Sequence, residues 1–154
     1  MLSFLFFLST IRVLLNSNNK YHGEYMSGLS SLLTLSIFNK FSEEEVSIFT
    51  QNMELKIYSP SDIIVSTNER VDFLGIVNKG EIEVNIVNKG KKVILGLLKV
   101  GEVFGEMSLF DNLSSSANVI AVAECEIWKI KREKITALLE NQEKIAIKFY
   151  RNLF

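Results

Sequence analysis

The segment Gly101-Glu102-Val103-Phe104-Gly105-Glu106-Met107-Ser108-Leu109, continuing through Phe110-Asp111-Asn112-Leu113-Ser114-Ser115-Ser116-Ala117-Asn118-Val119, interrupts every regular period in this chain. Val103-Phe104 is apolar but too short for more than a fragment of strand. Gly105 to Phe110 has room for one helical turn, and Asp111 to Ser116 is a polar loop. Strand character returns at Asn118. An irregular, glycine-punctuated insert is thus expected between two well-patterned stretches.

Working outward, the patterned stretches are strands. Upstream, Ile82, Val84 and Ile86 alternate with Glu81, Glu83 and Asn85. Asn88-Lys89-Gly90 then turns the chain, and Val93, Leu95 and Leu97 resume the alternation. Before them, Leu55 and Ile57 alternate with Glu54, Lys56 and Tyr58, the turn Ser59-Pro60-Ser61-Asp62 follows, and Ile63–Val65 and Phe73–Val77 are two further strands. Downstream, Asn118–Val122 and Cys125–Ile130 complete the set. Short strands at this spacing indicate an antiparallel sandwich or barrel with one wet face per strand.

Helices flank the strands. Ser42-Glu43-Glu44-Glu45 is a capping box; Val46, Phe49 and Met53 follow at helical spacing, with Phe38 and Phe41 placed to staple the entry, so a helix is expected over about 43–52. At the far end Arg132–Leu139 and Gln142–Phe154 are helical, broken at Asn141. Ile135, Leu138, Ile145, Phe149 and Leu153 share a stripe that either packs back on the strands or pairs with a second copy through 142–154. The fold class is α+β: an antiparallel β-roll of about eight strands with one N-terminal and two C-terminal helices.

Composition narrows the function. The 154 residues are 47% apolar with net charge −1, enough for one domain with a real core and without the clustered basic face that nucleic acid requires. The single cysteine, Cys125, excludes an internal disulfide and fits a reducing, cytoplasmic setting; lying in an apolar strand, it is expected to be packed rather than nucleophilic. His22 stands far from it, so neither a zinc site nor a Cys/His pair forms, and no constellation of an enzyme appears. Met1–Leu15 is apolar but lacks a basic leader and a small-residue cleavage site, and is shorter than the roughly 20 residues a membrane span needs. Residues 1–30 are therefore expected to be an extension, with Met26 an alternative start and membrane contact by 1–15 a minor reading, and 31–154 the domain.

The series Gly101-x-x-Phe104-Gly105-Glu106 with Ser116-Ala117 following resembles the phosphate-binding cassette of cyclic nucleotide-binding domains, the family of the bacterial catabolite activators and the regulatory subunits of cyclic AMP-dependent kinase. The resemblance runs from about Phe38 to the C-terminus. It implies a ligand, cyclic AMP before cyclic GMP, and no other cofactor. The ligand would be held by Phe104, Gly105, Glu106, Met107, Ser108, Leu109, Ser115, Ser116 and Ala117. Backbone amides at the start of the helical turn suit an anionic phosphate, and Gly105 would let backbone come close to it. Glu106 repels a phosphate, so its role by resemblance is to accept from a ribose hydroxyl, while small Ala117 keeps the return strand near.

One departure matters most. The family reads Pro-Arg-Ser-Ala or Pro-Arg-Ala-Ala where this chain has Ser114-Ser115-Ser116-Ala117, so Ser115 replaces the arginine that neutralises the phosphate. From Val100 to Trp128 there is no Lys, Arg or His, only Glu102, Glu106, Asp111, Glu124 and Glu126. Loss of a buried charge partner costs about 3–5 kcal/mol, a hundredfold or more in affinity. Serine hydroxyls return about 0.5–1.5 kcal/mol each, and Lys91 and Arg70 are distant cations able to fold back. Ser61 and Asn68 stand where the family has turn glycines, and Gly75 where an aromatic is frequent, which is expected to thin the core. The expected function is a regulatory module that binds a cyclic nucleotide weakly and relays it through the C-terminal helices. Two other readings stand beside it: a degenerate fold kept for interaction or dimerisation, and the sensor half of a transcription regulator, since the chain stops at Phe154 where a helix-turn-helix would begin.

Overall fold

The computed structural model describes residues 28–154; the readings of Met1–Leu15, His22 and Met26 lie outside them. Residues 28–33 are helical and a short turn, Ser36–Phe38, follows. Helix α1 (Glu43–Thr50) opens on the expected capping box: the Glu45 amide donates to Ser42 Oγ at 3.2 Å and the Ser42 amide to Glu45 Oε2 at 2.9 Å. It ends before residue 52 because Met53 already belongs to a strand.

Eight strands follow: β1 (Met53–Tyr58), β2 (Ile63–Val65), β3 (Phe73–Lys79), β4 (Ile82–Asn88), β5 (Lys91–Leu98), β6 (Val103–Phe104), β7 (Asn118–Ala121) and β8 (Cys125–Lys131). They pair antiparallel in two four-stranded sheets, ordered β1-β8-β3-β6 and β2-β7-β4-β5. Helices α2 (Arg132–Asn141) and α3 (Glu143–Leu153) close the chain; the break falls at Gln142, one residue beyond Asn141. This is the expected β-roll.

Two cores form. Between the sheets lie Val65, Val77, Ile82, Ala121, Cys125 and Ile127. Cys125 is a packed thiol, fully buried and donating towards the Glu81 carbonyl. The second core joins the roll to the helices. There Phe49 stacks on Phe149 at 5.5 Å, and Phe38 meets both Phe41 and Phe49 edge-on, which is the staple the sequence implied. Ile135, Leu138, Ile145 and Phe149 are buried in this core, so the helical stripe packs back on the roll. Leu29 packs against the same cluster.

Three strand expectations change. Ile57 is 68% exposed and Leu55 39%, because β1 is an edge strand whose contributions to the cores come from its ends, Met53 and Tyr58. In β5 a bulge shifts the register, so Val93 faces with Ile86 while Leu97 faces with Glu83; the uniform alternation of Val93, Leu95 and Leu97 does not survive, as an extra residue reverses a strand's faces. Gly75 does not thin the core: a Cβ there would meet the Phe104 ring at 2.3 Å, so the ring of its cross-strand partner fills the space.

Candidate functional site

The irregular segment of the sequence becomes one wall of a cavity of about 510 Å³, a size within the usual range of about 300–1,000 Å³ for small-molecule sites. Strand β6 delivers the chain into a short helical turn, Glu106–Leu109, and the loop 111–117 returns it to β7. Val65, Val84, Leu98 and Val119 from the surrounding strands, with Val71 from the β2–β3 connection, complete an apolar floor.

Gly105, at the head of the turn, has φ +79°, and a Cβ on it would lie 2.6 Å from the Phe73 carbonyl oxygen. Its need for glycine therefore comes from strand β3 behind it and from the left-handed backbone, not from approach to a ligand. Of the nine residues expected at the site, Phe104, Gly105, Glu106, Met107, Ser108, Ser115, Ser116 and Ala117 line the cavity. Leu109 does not; it turns away and packs against the helical core. That result follows from the tight turn, which sends successive side chains to different sides.

The polar atoms are unequally engaged. Ser108 Oγ donates to the Gly105 carbonyl at 2.6 Å. Ser115 Oγ donates to the Ala117 carbonyl at 2.7 Å and accepts from the Ala117 amide at 3.3 Å. Ser115 is further held by Asn68 N to its carbonyl, 2.7 Å, and by its own amide to Glu69 O, 2.8 Å. Its hydroxyl is thus committed to the loop rather than offered to a ligand. Glu106 is different: half-buried in the cavity wall, its carboxylate has no partner among the described residues.

The charge pattern is milder than the sequence suggested. Glu124 and Glu126 both reach Lys79, at 3.3 and 3.9 Å, on a different part of the roll, and Glu102 accepts from the Lys99 amide. Among the described residues, only Glu106 and Asp111 carry negative charge into the cavity wall, and no lysine, arginine or histidine lines it. Sequence distance alone could not separate the carboxylates of the cavity from those of the turns.

Two contacts connect this wall to the C-terminal helices, and the sequence had not disclosed either. Arg132 Nη1, at the start of α2, donates to the carbonyls of Ser108 and Asp111 at 3.0 and 3.3 Å. Phe110 lies against Tyr150 and Phe154, with ring centroids 6.1 and 5.7 Å apart. No residue of α3 lines the cavity itself.

A roll of this topology with the cassette against its cavity agrees with the family comparison, in which the cyclic nucleotide-binding domain model matches residues 55–142. The chain belongs to the cyclic nucleotide-binding domain family. It is 28% identical over 119 residues to a cAMP-dependent protein kinase regulatory subunit of Mycosarcoma maydis, covering 77% of this chain and 22% of that protein. To the cyclic AMP receptor protein of Thermus thermophilus it is 29% identical over 111 residues, 71% of this chain and 51% of the relative. Among solved structures, the Thermus thermophilus catabolite activator protein superposes with a TM-score of 0.68 at 28% identity, covering 77% of this chain and 56% of that one. The regulatory domain of Toxoplasma gondii PKA, solved with cAMP, shares the fold at a TM-score of 0.65 and 23% identity, over 75% of this chain and 44% of that one. The chain thus spans about a fifth to a half of these curated relatives. Among the described residues no helix is long and apolar enough to cross a membrane, and no group of three or more His, Cys, Asp or Glu could hold a metal ion.

Proposed function

We propose that this cyclic nucleotide-binding domain is a non-catalytic sensor that takes a cyclic nucleotide, cyclic AMP before cyclic GMP, into the roll cavity and passes occupancy to α2 and α3. The observation that carries it is Glu106. Its carboxylate stands in the cavity wall with no protein donor among the described residues, and the two hydroxyls of a ribose would donate to it. The amides that open the 106–109 turn, which have no partner within it, would face the phosphate. The Arg132 and Phe110 contacts give the cassette a mechanical link to the C-terminal helices. Affinity is low in this reading, because Ser115 brings no positive charge and its hydroxyl is already engaged.

Calorimetric titration with cyclic AMP and cyclic GMP tests the reading. Weak binding is expected, lost in Glu106→Ala and at least tenfold tighter in Ser115→Arg. No heat with millimolar ligand would overturn it.

A second reading has its own support. Val87, Ile94, Leu95 and Leu97 are all about half exposed or more on the β4–β5 ribbon, and exposed apolar side chains gathered on one ribbon suit a contact surface. In this reading the domain works by association, with the cavity idle. Self-association through 142–154 would use the exposed Ile147, Tyr150 and Phe154, since Ile145 and Phe149 are buried against the roll. For a sensor half of a transcription regulator, the partial coverage of the Thermus thermophilus relatives is the support. A cytoplasmic place fits all three readings, and direct contact with nucleic acid belongs to none of them.

A further inference from the structure

Arg70 stands beside the cavity without a charge partner. It is joined to Ser114 by an isolated antiparallel bridge, and the bonds between Asn68 or Glu69 and Ser115 extend that pairing by one step. Antiparallel partners lie about 4.5–5.5 Å apart at Cα, well within the length of an arginine side chain. Both Ser114 and Val71, the bridge partner and the next residue along, line the cavity. The exposed guanidinium donates from Nη2 to Asn112 Oδ1 at 3.1 Å, a neutral amide oxygen, and it forms no salt bridge among the described residues.

We infer that Arg70 is the ligand-phosphate contact of this domain, supplied from the segment that pairs with the 114–115 loop instead of from the loop itself. This inference rests on the cyclic nucleotide reading above. A guanidinium on a neutral acceptor gives up little by exchanging it for a phosphate oxygen, since charge-assisted bonds are roughly twice as strong as neutral ones. Asn112 holds the side chain at the rim until the anion arrives. The bidentate fork of arginine suits a phosphate diester oxygen pair. Neither Arg70 nor Lys91 lines the cavity itself, but Arg70 adjoins Val71 and bridges to Ser114, which do, whereas Lys91 lies at the hairpin end of β5.

The test is calorimetric titration of the 154-residue chain with cyclic AMP, and with adenosine as a probe lacking the phosphate. Arg70→Gln is expected to weaken cyclic AMP at least tenfold, to flatten its salt dependence, and to leave adenosine unchanged. Arg70→Lys should fall between wild type and Arg70→Gln. The double variant Arg70→Gln/Ser115→Arg should recover affinity, which also shows that the cavity is still folded. Equal cyclic AMP affinity in wild type and Arg70→Gln overturns the inference while leaving the sensor reading intact. Parallel loss of adenosine binding also overturns it, by assigning Arg70 to the cavity's structure. Absence of any binding by the wild type overturns both.

Discussion

Arg132 Nη1 lies 3.0 Å from the carbonyl oxygen of Ser108, so the first residue of α2 holds the last turn of the cassette. The same nitrogen reaches the Asp111 carbonyl at 3.3 Å, while the Arg132 amide donates to Asp72 O at 2.7 Å. A cation placed on carbonyls at the end of a helical turn satisfies groups that would otherwise have no donor. It also means that moving α2 must disturb the cavity wall, and the reverse.

Arg132→Gln should therefore loosen the cassette without emptying a core. Hydrogen bonds to charged groups contribute about 1.5–3 kcal/mol; for this half-buried side chain the lower end is expected. Hydrogen exchange followed by mass spectrometry should show faster exchange at 106–111, with β3 and β8 unchanged. If a ligand binds, its protection of 143–153 should shrink in the variant. Unaltered exchange at 106–111 would remove Arg132 from the link.

Ser61→Gly is expected to stabilise the domain. Ser61 has φ +72°, a left-handed conformation that costs a residue with a Cβ about 1–2 kcal/mol. Glycine loses about 0.5–1 kcal/mol through its freer unfolded chain, so a net gain of about 0.5–1 kcal/mol remains. The backbone bonds of the turn, Ser61 N to Ala121 O at 2.8 Å among them, do not involve the side chain. Asn68, at φ +66°, is already suited to that conformation, and Asn68→Gly should change stability much less. Urea midpoints of the three proteins decide this.

Both turn positions were legible in the sequence, because a departure from glycine leaves the required φ in place and only changes who bears it. The succession of strands along the chain was legible for a similar reason, since turn signals mark where strands stop, whereas their order within the two sheets was not. What escaped was whatever depends on tertiary neighbours. Asn85 looked like an outward polar residue of β4, yet it is 1% exposed, bonded to Glu83 and Asn118 in a cross-strand network. Ser115 looked like a residue offered to a ligand, and its hydroxyl closes a local turn instead. Arg132 sits outside the motif segment, so no spacing within it could point to it; Arg70 was one of two distant cations the sequence offered, and only the bridge to Ser114 separates it from Lys91.

Acid should weaken the tie between the first and last helices. Burial pushes the Glu45 carboxyl upward, but the Lys148 ammonium, 2.7 Å away, and the Ser42 amide outweigh it and hold the carboxyl below its ordinary value. A carboxyl depressed in the folded state contributes stability above its unfolded pKa and loses it as pH falls through the folded one. Glu45→Gln keeps an acceptor for the Ser42 amide and removes only the charge. Its cost should be on the order of 1 kcal/mol at pH 7 and should vanish towards pH 3. A cost that does not fall with pH would show that the ion pair with Lys148 is not what Glu45 supplies.

Phe149 should be the most sensitive position of α3. It is fully buried and stacked on Phe49 at 5.5 Å, with Ile135 and Ile145 in the same cluster. Truncating such an aromatic costs about 3–5 kcal/mol, a large share of the 5–15 kcal/mol typical of a whole domain. Phe149→Ala should therefore lower the urea midpoint severely, and Phe149→Glu should fail to fold, which makes it useless as a probe of association. Ile147, 51% exposed on the opposite side of the helix, is the position that separates the two effects. Ile147→Glu should leave stability within about 0.5 kcal/mol of wild type, so any change it causes in sedimentation reports contact between copies. A Phe149→Ala midpoint close to wild type would mean that α3 is not docked on the roll in solution, and the link from Arg132 and Phe110 to the C-terminus would have nothing to act upon.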